Sequence, residues 1–215
     1  MKILAAFTFL PLLLAQKATD LPAQKAKLLV SDPSWGNTEG PAVDSRGNLY
    51  FTSRGTDKGI IRWSEREGAK RWLAVATREG PGGTFIDEQD NLFITAPGEQ
   101  QILNITPDKK VSIVAEHFNA KPGVSKGPND LVGLRDGTVF MTEPNGYDGS
   151  APKGTIYRIP KGGKAEVFSQ DIAGPNGIEL SADQKTLYVS HNIVLNTTEI
   201  VRWRLNERGR SGRWK

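Results

Sequence analysis

Between residues 39 and 190 the chain repeats one arrangement of polar and apolar positions four times. A turn rich in Gly, Pro or Asn leads into a short apolar segment. A second polar turn follows, and then a strand of alternating character. The copies run over Glu39–Ser53, Gly82–Ala96, Asn129–Glu143 and Asn176–Ser190. The first apolar residues of their second strands, Leu49, Leu92, Val139 and Leu187, are spaced by 43, 47 and 48 residues. A period in the forties with paired strands at the head of each unit predicts β-propeller blades. The remainder of each unit supplies an outer hairpin: Gly59–Trp63, Gln101–Ile105 with Val111–Ala115, Thr155–Ile159 with Ala165–Phe168, and Glu199–Leu205. These runs are rich in β-branched and aromatic residues and are bounded by turns such as Pro107–Lys110 and Pro160–Gly163. No sustained helical period occurs between residues 39 and 205. The expectation is an all-β chain of about four blades.

The last repeat reads as ending after its third strand, with Arg208–Lys215 as a turn leading onward. The pattern therefore predicts an incomplete propeller over residues 16–215. With 23 Gly, 13 Pro and 37% hydrophobic residues, the composition suits short strands joined by tight turns around a modest core. Ahead of the repeats, Lys2 precedes an apolar run from Ile3 to Ala15. That run is too short to span a bilayer, which takes about 20 residues, and it matches a secretory signal peptide over residues 1–15. The mature chain is expected to be secreted or periplasmic, with no membrane association after cleavage.

Charge and cysteine content remove several function classes. The net charge is +4, but six basic residues from Arg202 to Lys215 account for the excess, leaving a balanced body. A basic tail is not the patterned stripe that nucleic-acid recognition needs. Cysteine is absent, which excludes disulfides, zinc–thiolate sites and a cysteine nucleophile. Gly123–Gly127 matches G-x-S-x-G, yet a Pro-Asn turn and a strand follow it instead of the helix of a nucleophile elbow.

Candidate chemistry lies at the first position of the repeat, which pseudo-symmetry brings to the central channel: Glu39, Gly82, Asn129 and Asn176. One carboxylate and two amides offer oxygen ligands of low total charge. These suit Ca²⁺, with Mg²⁺, Mn²⁺ or Zn²⁺ as competitors. The same residue types also serve turns by bonding to the backbone. Asp130 follows a candidate ligand, and strand alternation would turn it away from the channel. Two further residues are candidates for substrate binding. Asp148 lies in the loop Asn145–Gly149, where it equally suits a solvated turn, and His191 follows the fourth copy's second strand.

The segments Glu39-Gly-Pro-Ala, Gly127-Pro-Asn-Asp-Leu and Gly174-Pro-Asn-Gly-Ile resemble those of the SMP-30/gluconolactonase/LRE-like family, over about residues 30 to 205. The resemblance implies a six-bladed gluconolactonase-type propeller, of which about four blades are present here. It implies Glu39, Asn129 and Asn176 as ligands of one divalent metal, usually calcium. The implied activity is metal-assisted hydrolysis of a small lactone or related sugar-acid ester. The alternatives are a non-catalytic calcium-binding propeller and an inactive fragment of a longer lactonase. Two departures stand out. The family's Asp base has no counterpart in a matching setting after Asn176, so the catalytic residue is unassigned. Where animal members carry a substrate-binding Arg two residues before the first Asn, this chain has Gly127.

Overall fold

In the computed structural model the residues described are 26–116, 118, 127–145, 153–194, 197–206, 209, 211 and 212. The expected signal segment lies outside them. Residues 1–31 and 32–215 group as separate units.

Each copy of the repeat begins an antiparallel sheet of four strands in simple up-and-down order. Blade 1 comprises β1 (Thr38–Val43), β2 (Leu49–Ser53), β3 (Gly59–Ser64) and β4 (Gly68–Leu73). Blade 2 comprises β5 (Thr84–Ile86), β6 (Leu92–Ala96), β7 (Gln101–Ile105) and β8 (Val111–Glu116). In blade 3 the strands are β9 (Leu131–Gly133), β10 (Val139–Glu143), β11 (Thr155–Ile159) and β12 (Glu166–Ser169). Blade 4 has β13 (Pro175–Leu180), β14 (Thr186–Val194), β15 (Thr197–Leu205) and β16 (Ser211–Gly212). The innermost strands follow one another in space, β1 against β5, β5 against β9 and β9 against β13. This is a propeller arrangement.

Three apolar seams hold the blades together. Tyr50 and Ile60 of blade 1 meet Leu92, Ile94 and Leu103 of blade 2. Ile102 of blade 2 meets Leu131, Val139, Met141 and Tyr157 of blade 3. Phe140 and Ile156 of blade 3 meet Ile178, Leu187 and Val189 of blade 4. A blade packed on both faces has no solvent side, so its strands are buried along their whole length. All five residues of β10 are buried, as are all five of β11.

Two expectations need correction. Ser211–Gly212 closes blade 4, pairing with Leu205 and Arg204. Two residues without alternation carry no strand signal, and the sheet edge alone recruits them. The outer strand β4 was also not legible as a strand, because its exposed Lys70 and Arg71 break the apolar pattern.

The candidate metal centre

The four first positions occupy one register. Glu39 pairs with Thr52 across β1 and β2. The Gly82 N–H donates to Thr95 O at 2.9 Å and the Asn129 N–H to Thr142 O at 2.8 Å. Asn176 is the second residue of β13, whose Pro175 pairs with His191. Each candidate ligand thus stands at the same end of an innermost strand, on blades 1, 3 and 4. Blade 2 offers none for a steric reason. A Cβ at Gly82 would collide with Thr95 Oγ1 and Asn129 O, so no side chain fits at that point of the seam.

Glu39 is held by Arg54, whose Nη1 lies 3.2 Å from Oε1. The same guanidinium donates from Nε to Glu79 O at 3.3 Å. The positive partner of the one carboxylate in the set therefore comes from the loop after β2, a contact that sequence reading missed.

Asp130 is the second residue that the structure adds. Its Oδ1 accepts from the Leu131 N–H at 2.9 Å and its Oδ2 from the Ile178 N–H of blade 4 at 3.2 Å. On the other side it fills the space left by Gly83 of blade 2, where a Cβ would strike it. A blade 3 side chain that meets the innermost strands of both neighbours lies on the channel side. Asp130 precedes β9, in irregular backbone to which strand alternation does not apply. Burial pushes its pKa up to about 6. The two N–H bonds oppose that shift, and the charges of Glu39 and Glu179 add to it.

His191 is 6% exposed, and among the described residues neither ring nitrogen has a hydrogen-bond partner. Nε2 lies 3.5 Å from Glu199 Oε2 on the neighbouring strand, without hydrogen-bond geometry. Glu143 holds the equivalent place on blade 3, one residue after Thr142, and is also buried. Asp148 lies outside the described residues.

A cavity of about 1130 Å³ opens at the opposite ends of the same strands, lined by Ala42, Ile86, Leu134 and Leu180. It includes none of the three candidate ligands. Size therefore points to one end of the channel and oxygen chemistry to the other. The chemistry decides, because a cation is held by its donors and not by volume. Among the described residues no three His, Cys, Asp or Glu side chains form a metal-binding group. The donor set is instead one carboxylate and two amides, which fits a hard divalent cation and leaves coordination positions for water or substrate.

Similarity to known proteins agrees with this architecture. The chain is 25% identical over 186 residues to a gluconolactonase of Zymomonas mobilis, covering 77% of this chain and 51% of that protein. It therefore spans about half the length of that relative. Among solved structures, a gluconolactonase from Xanthomonas campestris superposes with a TM-score of 0.66 at 23% identity, over 83% of this chain and 60% of that one. Regucalcin from Agrobacterium tumefaciens, a calcium-binding protein, gives a TM-score of 0.63 at 18% identity, over 81% and 56% of the two chains. The sequence model of the SMP-30/gluconolactonase/LRE-like region matches residues 37–208, and the chain belongs to that family.

Proposed function

We propose that this chain is the ligand-bearing part of a secreted or periplasmic lactone hydrolase dependent on a divalent cation, calcium being the best match to its oxygen donors. The observation that carries the reading is the common register of Glu39, Asn129 and Asn176 on three blades. The names of the relatives support lactone as the substrate class, and the regucalcin likeness supports calcium.

Glu39, Asn129 and Asn176 would hold the cation. When bound, it supplies Lewis-acid polarisation of the lactone carbonyl and stabilises the charge that develops on oxygen. Arg54 holds Glu39 through its Nη1, so the carboxylate is presented in a fixed place. Asp130 is engaged at both oxygens by backbone N–H groups. It therefore braces the channel wall instead of accepting a proton from water. His191, a candidate for substrate binding, stands at the ligand end of blade 4 with its ring buried.

Hydrolysis of glucono-δ-lactone by the 215-residue chain, followed with calcium and then with EDTA, tests the proposal. The expected result is faster turnover with calcium and no calcium dependence in Asn176→Ala. Equal rates in all four conditions would sink it. Calcium raising the melting temperature without turnover of any lactone would replace it with the non-catalytic calcium-binding propeller.

A further inference from the structure

A hydrogen bond recurs across every seam, from the second strand of one blade to the first position of the next. Thr52 Oγ1 lies 2.9 Å from Gly82 O, Thr95 Oγ1 2.8 Å from Asn129 O, and Thr142 Oγ1 2.6 Å from Asn176 O. All three threonines are 0% exposed. Each sits opposite the first position of its own blade and reaches over the seam to the following one. A β-branched residue would suit these strand positions by shape alone, and valine would provide that shape. The hydroxyl is a separate matter. Buried, it costs free energy unless it is bonded, and here it is bonded to the main chain of a residue at the candidate cation site.

The two relevant carbonyls have different settings. Asn129 O accepts from both Thr95 Oγ1 and the Gly83 N–H, the latter at 2.9 Å. Asn176 O accepts from Thr142 Oγ1 at 2.6 Å. Asn176 lies at a bulge in the pairing of β13 with β14, between Pro175 and Ile178. The regular pairing of its own blade is interrupted at that residue, and the neighbouring blade holds it across the seam.

We infer that Thr95 and Thr142 are positioning residues for the cation site, each fixing from the preceding blade the backbone of a residue whose side chain supplies an oxygen ligand. The inference rests on Glu39, Asn129 and Asn176 being cation ligands. It goes beyond that reading by assigning the geometry of each ligand to the blade before it. Removing outer partners of metal ligands typically weakens binding, and the same magnitude applies here, roughly 10- to 100-fold for Thr142→Val. Thr95→Val has a smaller effect, because Gly83 still holds the Asn129 carbonyl.

The test is calorimetric titration of the full 215-residue chain with calcium chloride, alongside thermal melts in EDTA. Thr142→Val, Thr95→Val, Thr142→Ser and Ser53→Ala are compared with the unaltered chain. Ser53 is the control: its hydroxyl is equally buried and lies 3.1 Å from Trp35 O and 2.7 Å from Asp57 O, neither of them a ligand. Thr142→Val is expected to lose calcium affinity most and Thr95→Val less. Thr142→Ser, which restores the hydroxyl, should stay within about threefold of the unaltered chain, well inside the loss expected for a missing outer partner. Ser53→Ala should lose stability in EDTA and keep its affinity. Should Thr142→Val not fold, Thr95→Val against Ser53→Ala decides the matter. Calcium binding that is unchanged in the valine variants, or weakened as much by Ser53→Ala, overturns the positioning role alone. An unaltered chain that gives no calcium response at all overturns the ligand assignment, and the positioning role with it.

Discussion

Blades 3 and 4 carry the same repeat in different surroundings. Blade 3 is packed on both sides: Val139 and Met141 enter the seam with blade 2, while Phe140 between them enters the seam with blade 4. Blade 4 buries one face. Leu187 and Val189 are fully enclosed, whereas Tyr188 between them is 37% exposed and Ile200 on the next strand is 72% exposed. Their equivalent hydroxyls differ in the same way. Thr142 bonds across a seam to Asn176 O at 2.6 Å, but Ser190 reaches its own blade's Gly177 O at 3.4 Å. A blade is therefore not a self-sufficient unit. Its burial and the placement of its site residues both depend on its neighbour.

The largest expected effect breaks the two-sided packing. Phe140 is 0% exposed and makes an edge-on contact with Phe168, ring centres 5.2 Å apart. Phe140→Ala should cost about 4 kcal/mol. In a domain of this size that lowers the melting temperature by roughly 10 °C. A loss below about 1 kcal/mol, within the range of surface substitutions, would mean that blade 3 is not packed as described.

Next in size is the carboxyl that blade 3 shares with both neighbours. Burial raises the Asp130 pKa from 3.8 to about 6, so the folded chain binds this proton more tightly than the unfolded one. The resulting stabilisation is complete below about pH 4 and is lost as pH rises through 6. In EDTA the loss should be on the order of 2–3 kcal/mol across that window. Urea midpoints measured from pH 4 to 7 for the unaltered chain and Asp130→Asn, whose amide stands in for the neutral acid, would show it as a difference that opens toward high pH as the unaltered chain loses stability. Parallel profiles would mean that the carboxyl is solvated. Calcium should move the window downward in pH, since a nearby cation favours the ionised form.

A smaller effect sharpens the hydroxyl comparison. Ser190→Ala removes only the 3.4 Å contact within blade 4, so it should change stability by less than about 0.5 kcal/mol, below a typical buried hydrogen bond. Calcium affinity in the same variant should be unchanged. A loss matching that of Thr142→Val would show that the within-blade contact matters as much as the one between blades.

The repeat period and the register of Glu39, Asn129 and Asn176 were legible because both are written locally, in turns and short apolar runs. The contacts that give those residues their setting were not. Thr95 meets Asn129 across 34 residues and Asp130 meets Ile178 across 48. Both arise from stacking one sheet on the next, which no local pattern encodes. Arg54 on Glu39 was missed for a related reason, since a loop arginine has no periodicity to reveal its partner. The contacts of Asp130 were not legible from alternation, since it precedes β9. In β10 the uninterrupted burial of Val139–Glu143 follows from two-sided packing, whereas the mixed exposure in β14 reflects a single packed face.

The smallest expected effect tests that single face directly. Ile200 stands on β15 with 72% of its surface exposed, flanked in the sheet by Ser190. If solvent is its only neighbour, Ile200→Lys removes no contact, and stability should stay within about 0.5 kcal/mol of the unaltered chain. That would contrast with the loss at Phe140 and confirm that apolar residues on the two blades carry different weight. A loss of 2 kcal/mol or more would instead require that something covers this face in solution. The two cases separate further on dilution. A covered face held by a second copy makes the melting temperature depend on protein concentration, and Ile200→Lys would abolish that dependence. A face in water gives one melting temperature at every concentration, with or without the substitution.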